Sequence, residues 1–369
     1  MITLNNNSIV IDSHVDTPTM LLERIDLGQH LSRGHVDFVR AKAGGVDAMF
    51  FAIYTPIDIN GEDATVHAIR LISKTFDAVD ANKDKAAMAF SSKQISENKK
   101  LGLVSVMLGM ENASPIHDNL AYLGFFHKFG IRYLTLCHNA HNLVCDSCAP
   151  RDEEWGGLSA FGKEVVAECN RLGILLDCSH ASDATFYDLL KYSRTPVVAT
   201  HSSCRALCNH PRNMSDTMIR DLASSGGVIQ INFYPKFISE DFADEKFYRL
   251  SEEGEKWQKL YRSDLKNEIY RDKYFECMSE LQSYPAPSVK RVVDHIEHAI
   301  EIGGEQHVGI GSDFDGIEIA PEGLRDISMI PNISAEMKNR GFGKKEIEGV
   351  LGENFLRVLK NAESSASES

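Results

Sequence analysis

The chain has 369 residues, of which 43% are hydrophobic and 25% are charged. This composition is typical of a globular protein that is large enough for one barrel or for two ordinary domains. The formal net charge of -14 at pH 7 and a pI near 5.5 argue against nucleic acid or an anionic membrane as the partner, because both attract a basic surface.

Targeting signals and cysteines also bear on the class of protein. The N-terminal residues MITLNNNSIV contain no basic segment followed by an apolar one, and no apolar run reaches the length of about 18 residues that spans a membrane. We therefore expect a cytoplasmic protein. The eight cysteines lie scattered through predicted strands and helices, which favours reduced, buried thiols. Cys145 and Cys148 form a single CxxC, so a structural zinc site or a redox centre there is a less favoured alternative.

Short apolar runs rich in β-branched residues recur along the chain, and most are followed by apolar residues at helical spacing. Eight runs predict strands, at 8–11, 48–54, 103–108, 131–137, 174–178, 196–200, 227–233 and 307–311. Helical patterns lie at 64–81, 161–172, 183–192 and 287–304. Strands and helices that alternate in this way predict an α/β fold, namely a TIM (β/α)8 barrel.

A doubly wound open sheet is the alternative fold, but no GxGxxG motif follows the first predicted strand. Residues 240–285 are rich in charged and aromatic residues, so we expect a mostly helical insertion after strand 7 that lies over the mouth of the barrel. We expect residues 1–361 to form a single domain that includes this insertion. The small, polar residues 362–369 are expected to form a disordered tail.

The first predicted strand runs into the sequence IDSHVDTP, which contains His14 and Asp16. Residues two apart in extended backbone point to the same side, so this imidazole and this carboxylate can reach one cation. Both groups suit zinc or a similar divalent metal. A packed histidine beside a capping aspartate would give the same pattern, so the pair predicts a metal only together with further ligands.

Three further candidate ligands follow later strands. Glu111 lies just past the third predicted strand, His180 at the end of the fifth and His201 at the end of the sixth. A parallel barrel gathers the C-terminal ends of its strands on one face, so all five residues are expected to converge. Five ligands are more than one tetrahedral catalytic zinc uses. They fit two metal ions, for which Glu111, with its two oxygens, is the natural bridge.

Longer motifs make the chain resemble the membrane (renal) dipeptidase family of zinc peptidases, which have amidohydrolase-like barrels. The motifs are IDSHVDTP, GMEN, LTLCHN, GLSAFGKEVV, LLDCSHAS, THSSCRALCNHPRN, GGVIQINFY and GIGSDFDG. The resemblance implies that His14, Asp16 and Glu111 bind one zinc ion. It implies that Glu111, His180 and His201 bind a second zinc ion, with a hydroxide between the two.

The resemblance also implies roles for three residues outside the ligand set. His138 would contact the substrate and the tetrahedral intermediate, Arg212 would bind the substrate carboxylate, and Asp313 would transfer protons. The chemistry of each group suits its role, since imidazole can donate to an oxyanion, guanidinium pairs with carboxylate and carboxylate accepts protons. Strand position favours Asp313 over Asp315, and His141 is a less favoured alternative to His138.

Two segments depart from the family pattern. The loop at 138–156 lacks a Pro-Trp pair and carries the CxxC, and the insertion at 240–285 is unusually charged. We expect both to border the substrate pocket, which leaves the side-chain preference of the enzyme open.

We therefore predict a binuclear zinc dipeptidase, in which a hydroxide that bridges the metals attacks the single peptide bond of a dipeptide. The resemblance extends the expected substrates to L,D- and D,D-dipeptides and implies a homodimer, and neither nucleic acid nor a membrane is an expected partner. One alternative is another amidohydrolase-like enzyme, such as an N-acyl amino acid deacylase or a lactonase. The other is a non-catalytic metal-binding barrel.

Overall fold

Parallel strands alternate with helices along the chain, which a computed structural model describes at residues 8–23 and 25–366. The strands are β1 (Ile11–Val15), β2 (Ala48–Tyr54), β3 (Ala86–Met88), β4 (Val104–Glu111), β5 (Ile131–Thr135), β6 (Leu175–Asp177), β7 (Val198–Ser202), β8 (Val228–Ile231) and β9 (Val308–Ile310). Eight of them follow one another around a single sheet in the order β1, β2, β4, β5, β6, β7, β8 and β9, with every pair parallel.

Hydrogen bonds between β1 and the segment after β9 bring the two edges of this sheet together. The Asp16 N–H donates to the Phe314 carbonyl at 2.8 Å, and the Asp313 N–H donates to the His14 carbonyl at 3.1 Å. The sheet is thus a nearly closed barrel, and the prediction of a TIM barrel is confirmed. Strand β3 was not predicted. Its three residues, Ala-Ala-Met, carry no β-branched side chain, and it pairs only with β4 outside the barrel order.

Helices pack on the outer side of the barrel and at its two ends. They are α1 (Thr17–Met20), α2 (Phe38–Ala43), α3 (Gly61–Asp80), α4 (Ser92–Lys100), α5 (Leu120–Lys128), α6 (Ala160–Leu172), α7 (Asp183–Tyr192), α8 (Asp216–Ser224), α9 (Pro235–Ile238), α10 (Glu245–Ser263), α11 (Glu268–Gln282), α12 (Val289–Gly303), α13 (Pro331–Asn339), α14 (Lys344–Glu348) and α15 (Asn354–Ala366). None of the helices in the described part of the chain is long and apolar enough to cross a membrane.

Serine caps fix where three of the helices that follow barrel strands begin. The side chains of Ser159, Ser182 and Ser215 each accept the backbone N–H three residues ahead, at the starts of α6, α7 and α8. Such a cap satisfies a donor that the first turn of a helix would otherwise leave without a partner. The caps therefore fix where these helices begin, although the connections from strand to helix differ in length, from the short β6–α7 loop to the long loop between β5 and α6.

Two apolar layers lie on opposite sides of the barrel wall. In β2, Phe50 belongs to an inner cluster that includes Phe355 of α15, whereas Phe51 belongs to the larger cluster between the strands and the surrounding helices. The Phe50 and Phe355 rings meet edge to face at 5.2 Å between centroids. Glu353, directly before α15, accepts the Ile9 N–H just before β1 at 2.9 Å, so α15 covers the end of the barrel where the strands begin.

Two long helices, α10 and α11, form the predicted helical insertion after strand 7, which is β8 here. They pack around a small apolar cluster that contains Phe242, Phe247 and Leu281 and is completed by Ile319 from the loop after β9. At the other end of the chain, one prediction is wrong for part of its range. Helix α15 continues through Ala366, and Ala362 is buried against the inner cluster, so residues 362–366 are ordered by packing rather than disordered. The remainder of the expected tail, 367–369, lies outside the described residues.

Candidate active site

Strand order brings the five candidate metal ligands together at one end of the barrel. His14 lies in β1 and Asp16 directly after it, Glu111 is the last residue of β4, and His201 lies in β7. His180 follows β6 by three residues. All five side chains are buried. They are separated by up to 187 positions in sequence, from 14 to 201, but each stands at the C-terminal end of a parallel strand, where a barrel collects its functional groups.

The two oxygens of Glu111 face different partners. Oε1 lies 3.2 Å from Nε2 of His180 and 3.4 Å from Nε2 of His201. Oε2 lies 3.7 Å from Nε2 of His14, which in turn is 3.4 Å from Oδ2 of Asp16. The carboxylate of Glu111 therefore stands between one group formed with His14 and Asp16 and a second group formed with His180 and His201.

Each of the three imidazoles is held through its other nitrogen. Nδ1 of His14 lies 2.8 Å from the Tyr133 hydroxyl, and Nδ1 of His180 lies 3.0 Å from Oδ1 of Asn139. Nδ1 of His201 lies 2.8 Å from the hydroxyl of Thr200. Because Nδ1 is engaged in all three rings, Nε2 is the nitrogen that is turned toward Glu111.

The converging nitrogens fit a bound cation. Nε2 of His180 and Nε2 of His201 lie only 3.0 Å apart. Nε2 of His14 is buried and has no hydrogen-bond partner among the described residues. Ring nitrogens and carboxylate oxygens are the donors that zinc and similar divalent metals prefer. An unpartnered buried nitrogen beside a second carboxylate–histidine group is what a metal centre requires, and these residues therefore fit a metal.

Burial and charge set the protonation of the ligand groups. Burial lowers the pKa of His180 and of His201, which favours neutral rings with a free lone pair. Burial opposes the charge of Glu111, but His14 and hydrogen bonds from the histidines hold the pKa of this carboxyl well below its usual range. Burial and the Glu111 charge raise the pKa of Asp16 to about 8. The group thus attracts positive charge, which a divalent cation can supply.

Left-handed backbone conformations occur at two residues of the site. His180 has φ of 67° and Asp313 has φ of 63°, in a region that side chains other than glycine rarely adopt. Strain of this kind persists only where the surrounding structure holds it, and it is common at active sites. Close packing also excludes a side chain nearby, since a Cβ at Gly316 would lie 2.2 Å from Oδ2 of Asp16.

Asp313 and Asp315 have different surroundings in the structure, and only Asp313 faces the site. The ligand atoms of Asp313, His14 and His201 lie within 4.8 Å of one another, so Asp313 faces the site. Its Oδ2 accepts a hydrogen bond from Nδ2 of Asn232 at 2.8 Å. Asp315 instead accepts a hydrogen bond from the Thr17 hydroxyl at 2.7 Å and from the His35 N–H at 2.5 Å. Asp315 therefore closes a turn beside the site.

His138 and His141 also differ in their contacts, and only His138 lies beside a candidate ligand. The His138 ring lies 4.3 Å from the His180 ring and 4.8 Å from the Tyr54 ring, and its Nδ1 is buried without a partner among the described residues. Burial lowers the pKa of His138 to about 4, which favours a neutral ring. His141 accepts the Ser147 N–H at Nδ1, at 3.1 Å, and its Nε2 lies 3.0 Å from the Asp152 carbonyl. His141 therefore holds its own loop.

Asp146 organises the loop that carries these histidines. Its buried carboxylate accepts backbone N–H groups from Glu154, Trp155, Gly156 and Gly157, at 2.7 to 3.2 Å. The CxxC of this loop plays no part in a metal group among the described residues, and both of its cysteines are free. The loop is thus fixed by a carboxylate.

Arg212 lies buried beside the candidate ligands. Its guanidinium donates to the His201 carbonyl at 3.0 Å and to the Ser202 hydroxyl at 3.4 Å, and it stands 5.4 Å above the Phe237 ring. Its Nε has no hydrogen-bond partner among the described residues. A fixed guanidinium with a free donor can bind a carboxylate group of a small molecule.

The helical insertion contacts three loops at this end of the barrel. Lys259 pairs with Asp58 at 2.9 Å in the loop after β2, and the Ser251 hydroxyl donates to Glu318 at 2.7 Å after β9. The Tyr261 hydroxyl donates to Glu23 at 3.4 Å after β1. Helices α10 and α11 therefore stand beside the opening through which a substrate reaches the site.

Sequence patterns did not identify four residues that hold candidate site side chains by hydrogen bonds, namely Asn232, Tyr133, Thr200 and Asn139. The first three lie in or beside barrel strands, at buried positions where a polar group interrupts an apolar run. In GGVIQINFY, for example, Gln230 and Asn232 alternate with apolar residues, which is the pattern of side chains that point into a barrel. That alternation could have indicated polar side chains inside the barrel. Asn139 lies in an irregular loop and gives no such signal.

Comparison with known proteins agrees with this geometry. The family model described as Membrane dipeptidase (Peptidase family M19) matches residues 2–369. Dipeptidase aclJ of Aspergillus oryzae is 32% identical over 342 residues, which cover 90% of this chain and 71% of that protein.

Solved structures give the same result. A metallo peptidase from Rhodobacter sphaeroides, liganded with a phosphinate mimic of the dipeptide L-Ala-D-Ala, is 26% identical with a TM-score of 0.79, over 96% of this chain and 99% of the other. The probable dipeptidase PvdM from Pseudomonas aeruginosa is 25% identical with a TM-score of 0.80, over 97% of this chain and 96% of the other.

Proposed function

The chain belongs to the membrane dipeptidase family and is a metallo-dipeptidase, and from that premise we propose that it hydrolyses the peptide bond of dipeptides at a site that holds two zinc ions. The observation that carries the number of metals is the position of Glu111. One of its oxygens faces His14 and the other faces both His180 and His201. We assign Glu111 as the bridge, with Asp16 completing the first metal site.

Zinc held by these residues would supply a water nucleophile at neutral pH and a positive charge against the scissile carbonyl. The remaining steps fall to side chains of this chain. Asp313 faces the ligands with one carboxylate oxygen held by Asn232, so its other oxygen is available to take a proton and to return it to the departing amine. His138, with Nδ1 unpartnered, can donate to the oxyanion that forms on the substrate carbonyl.

Arg212 supports the assignment to very short peptides. Its guanidinium is buried near the candidate ligands, where a free C-terminal carboxylate one residue from the scissile bond would meet it. A longer peptide would place an uncharged amide there and would leave the buried guanidinium without a counter-charge, which is costly. We therefore propose that substrate length is set by Arg212.

The stereochemical preference is proposed from a relative. The Rhodobacter sphaeroides structure contains a mimic of L-Ala-D-Ala, so we propose that L,D-dipeptides are among the substrates of this chain, with D,D-dipeptides as a further class to be tested. A homodimer and a cytoplasmic location stay predictions. Light scattering on the purified protein and fractionation of the source cells are the measurements that check them.

The direct test is hydrolysis of a dipeptide library in both stereochemistries by zinc-loaded protein, beside a panel of N-acyl amino acids and lactones. We expect turnover of dipeptides, two zinc ions per chain by elemental analysis, and loss of activity after chelation. Release from acyl substrates or lactones with none from dipeptides would instead identify a deacylase or a lactonase.

Asp313→Asn tests the proton-transfer role within the same assay. The amide keeps the shape of the side chain but cannot accept a proton, so we expect kcat to fall about 100-fold or more while both zinc ions stay bound. Asp315→Asn is the matched control, because Asp315 only closes a turn. Unchanged turnover in Asp313→Asn contradicts the role.

A further inference from the structure

A buried hydrogen-bond chain reaches from the barrel interior to one of the candidate metal ligands. The hydroxyl of Thr200 lies 2.6 Å from Oδ2 of Asp177 and 2.8 Å from Nδ1 of His201. All three side chains are fully buried. The chain therefore connects a carboxylate on β6 to a ligand on β7 without contact with solvent.

The direction of each hydrogen bond follows from the groups involved. Oδ1 of Asp177 accepts the Ser179 N–H at 2.9 Å and the Thr200 N–H at 2.8 Å, and backbone N–H groups can only donate. A carboxylate oxygen accepts hydrogen bonds and has none to donate, and at Oδ2 the Thr200 hydroxyl is the donor. The Thr200 hydroxyl must then donate its proton to Oδ2, and its oxygen is left to accept the proton on Nδ1 of His201.

This direction determines which nitrogen of His201 is free. A neutral imidazole carries one proton, so a proton on Nδ1 leaves the lone pair on Nε2, 3.4 Å from Oε1 of Glu111. We propose that Asp177, acting through Thr200, is a positioning residue that fixes the tautomer and the ring orientation of His201 for metal binding. The inference rests on the proposed zinc centre and adds a residue pair that contacts neither the metal nor the substrate.

The other two imidazoles are supported differently. Nδ1 of His14 contacts the phenol hydroxyl of Tyr133, and Nδ1 of His180 contacts the side-chain amide of Asn139. Asn139 is an exposed residue. Only the support of His201, among these three, leads to a buried carboxylate. Supporting groups behind a ligating histidine commonly change metal affinity by about 10-fold to 100-fold when they are removed.

The chain offers a matched control for this test. The Thr135 hydroxyl donates to the same oxygen, Oδ2 of Asp177, at 2.5 Å, and is equally buried, but it makes no hydrogen bond to a histidine among the described residues. Thr200→Val and Thr135→Val therefore each remove one donor from the same carboxylate and keep nearly the same side-chain shape. Only Thr200→Val removes the acceptor for Nδ1 of His201.

The experiment is a zinc titration of the full chain against a chromophoric chelator, for the wild type, Thr200→Val, Thr200→Ser and Thr135→Val. We expect Thr200→Val to weaken the binding of one of the two zinc ions about 10-fold to 100-fold and to leave the other unchanged. Thr135→Val should stay within about threefold of the wild type, and Thr200→Ser, which restores the hydroxyl, should recover the wild-type affinity. Equal weakening in the two valine variants, or none in either, overturns the inference.

A second measurement needs no variant and keeps the inference testable if Thr200→Val does not fold. In zinc-loaded wild type with isotope-labelled histidine, nitrogen NMR should show His201 protonated at Nδ1 and bound to metal at Nε2, and the reverse assignment overturns the inference. A wild type that takes up no zinc overturns the proposed metal centre as well. If the wild type binds two zinc ions and Thr200→Val binds them with unchanged affinity, only the role of Asp177 and Thr200 is overturned.

Discussion

His295 shows how this protein holds a single side chain neutral away from the active site. Its Nδ1 accepts the Cys204 N–H at 3.1 Å, and its Nε2 lies 3.0 Å from the Ile238 carbonyl. Protonation of Nδ1 would break the first of these bonds. Burial is the largest influence on this ring and lowers the pKa of His295 to about 4.

A pH dependence of stability follows from His295. As pH falls below about 6.5, the unfolded chain takes up a proton that the folded chain does not take up until about pH 4, so folding stability falls with pH in this window. Between pH 7 and pH 5 the loss from this residue is about 2 kcal/mol.

Chemical unfolding of metal-free protein at the two pH values measures the effect. His295→Gln should lose less stability than the wild type over this step, because glutamine does not titrate, although its absolute stability is lower. His30→Gln, at an exposed histidine, is the control and should follow the wild type. Equal pH dependence in wild type and His295→Gln would mean that this histidine does not carry the effect.

At the scale of single elements, β4 and β5 are fitted to each other beneath the candidate metal ligands. The Tyr133 ring on β5 fills the space beside Gly109 on β4, where an added Cβ would lie 1.9 Å from a ring carbon. The hydroxyl of the same ring lies 2.8 Å from Nδ1 of His14. A small residue on one strand therefore permits a large one on its neighbour, which in turn supports a ligand on a third.

Gly109→Ala tests this arrangement. Displacing the Tyr133 ring should lower the free energy of unfolding by about 1–3 kcal/mol, as overpacking of a core does, and should weaken zinc binding because His14 loses its support. Gly124 on α5 is the contrasting site, since an added Cβ meets nothing within 4 Å. Gly124→Ala should stabilise the protein by about 0.5–1 kcal/mol and leave zinc binding unchanged. Thermal unfolding and a zinc titration on both variants decide the matter.

The helical insertion, α10 and α11, is positioned by its contacts with loops at the mouth of the barrel. Helices α10 and α11 pack on a small apolar cluster that includes Ile319 of the loop after β9, and they also make polar contacts with three separate loops at the barrel mouth. Of the polar contacts, the exposed Lys259–Asp58 pair contributes little stability. These contacts place the insertion beside the entrance to the candidate site, and its contact with a substrate stays a prediction.

At the scale of the whole molecule, the candidate ligands connect parts of the barrel that are far apart in sequence. They lie on or directly after β1, β4 and β7 and after β6, so a metal held by them would join separate strands. A ligand that binds only the folded chain stabilises it in proportion to the logarithm of its concentration over its Kd. Zinc at a thousandfold excess over its Kd stabilises by about 4 kcal/mol for one site.

Metal removal should therefore lower Tm, and adding zinc back should restore it. In Glu111→Gln, both sites lose the shared carboxylate, so we expect little or no zinc-dependent rise in Tm. Glu62→Gln, at an exposed position on α3, is the control and should respond to zinc like the wild type. Differential scanning calorimetry with and without chelator measures all three proteins, and a full zinc response in Glu111→Gln would contradict the bridging role.

Local patterns were sufficient to predict the barrel and the residues that end its strands. Apolar runs alternate with helical spacing, and each of His14, Glu111 and His201 stands at the end of such a run, so parallel topology alone brings them to one face. The same reasoning did not find β3, which has three residues and no β-branched side chain. It also expected disorder at 362–366, where burial of Ala362 extends the helix.

Only the tertiary structure decided between neighbours in sequence and identified the supporting groups. Asp313 and Asp315 differ by two positions, yet one faces the ligands and the other is held by Thr17 and His35. The link from Asp177 through Thr200 to His201 likewise joins two strands. Strand ends follow from local backbone periodicity, which a sequence displays directly. The direction of a side chain within a left-handed turn or a buried network depends on contacts between strands that sequence order does not reveal.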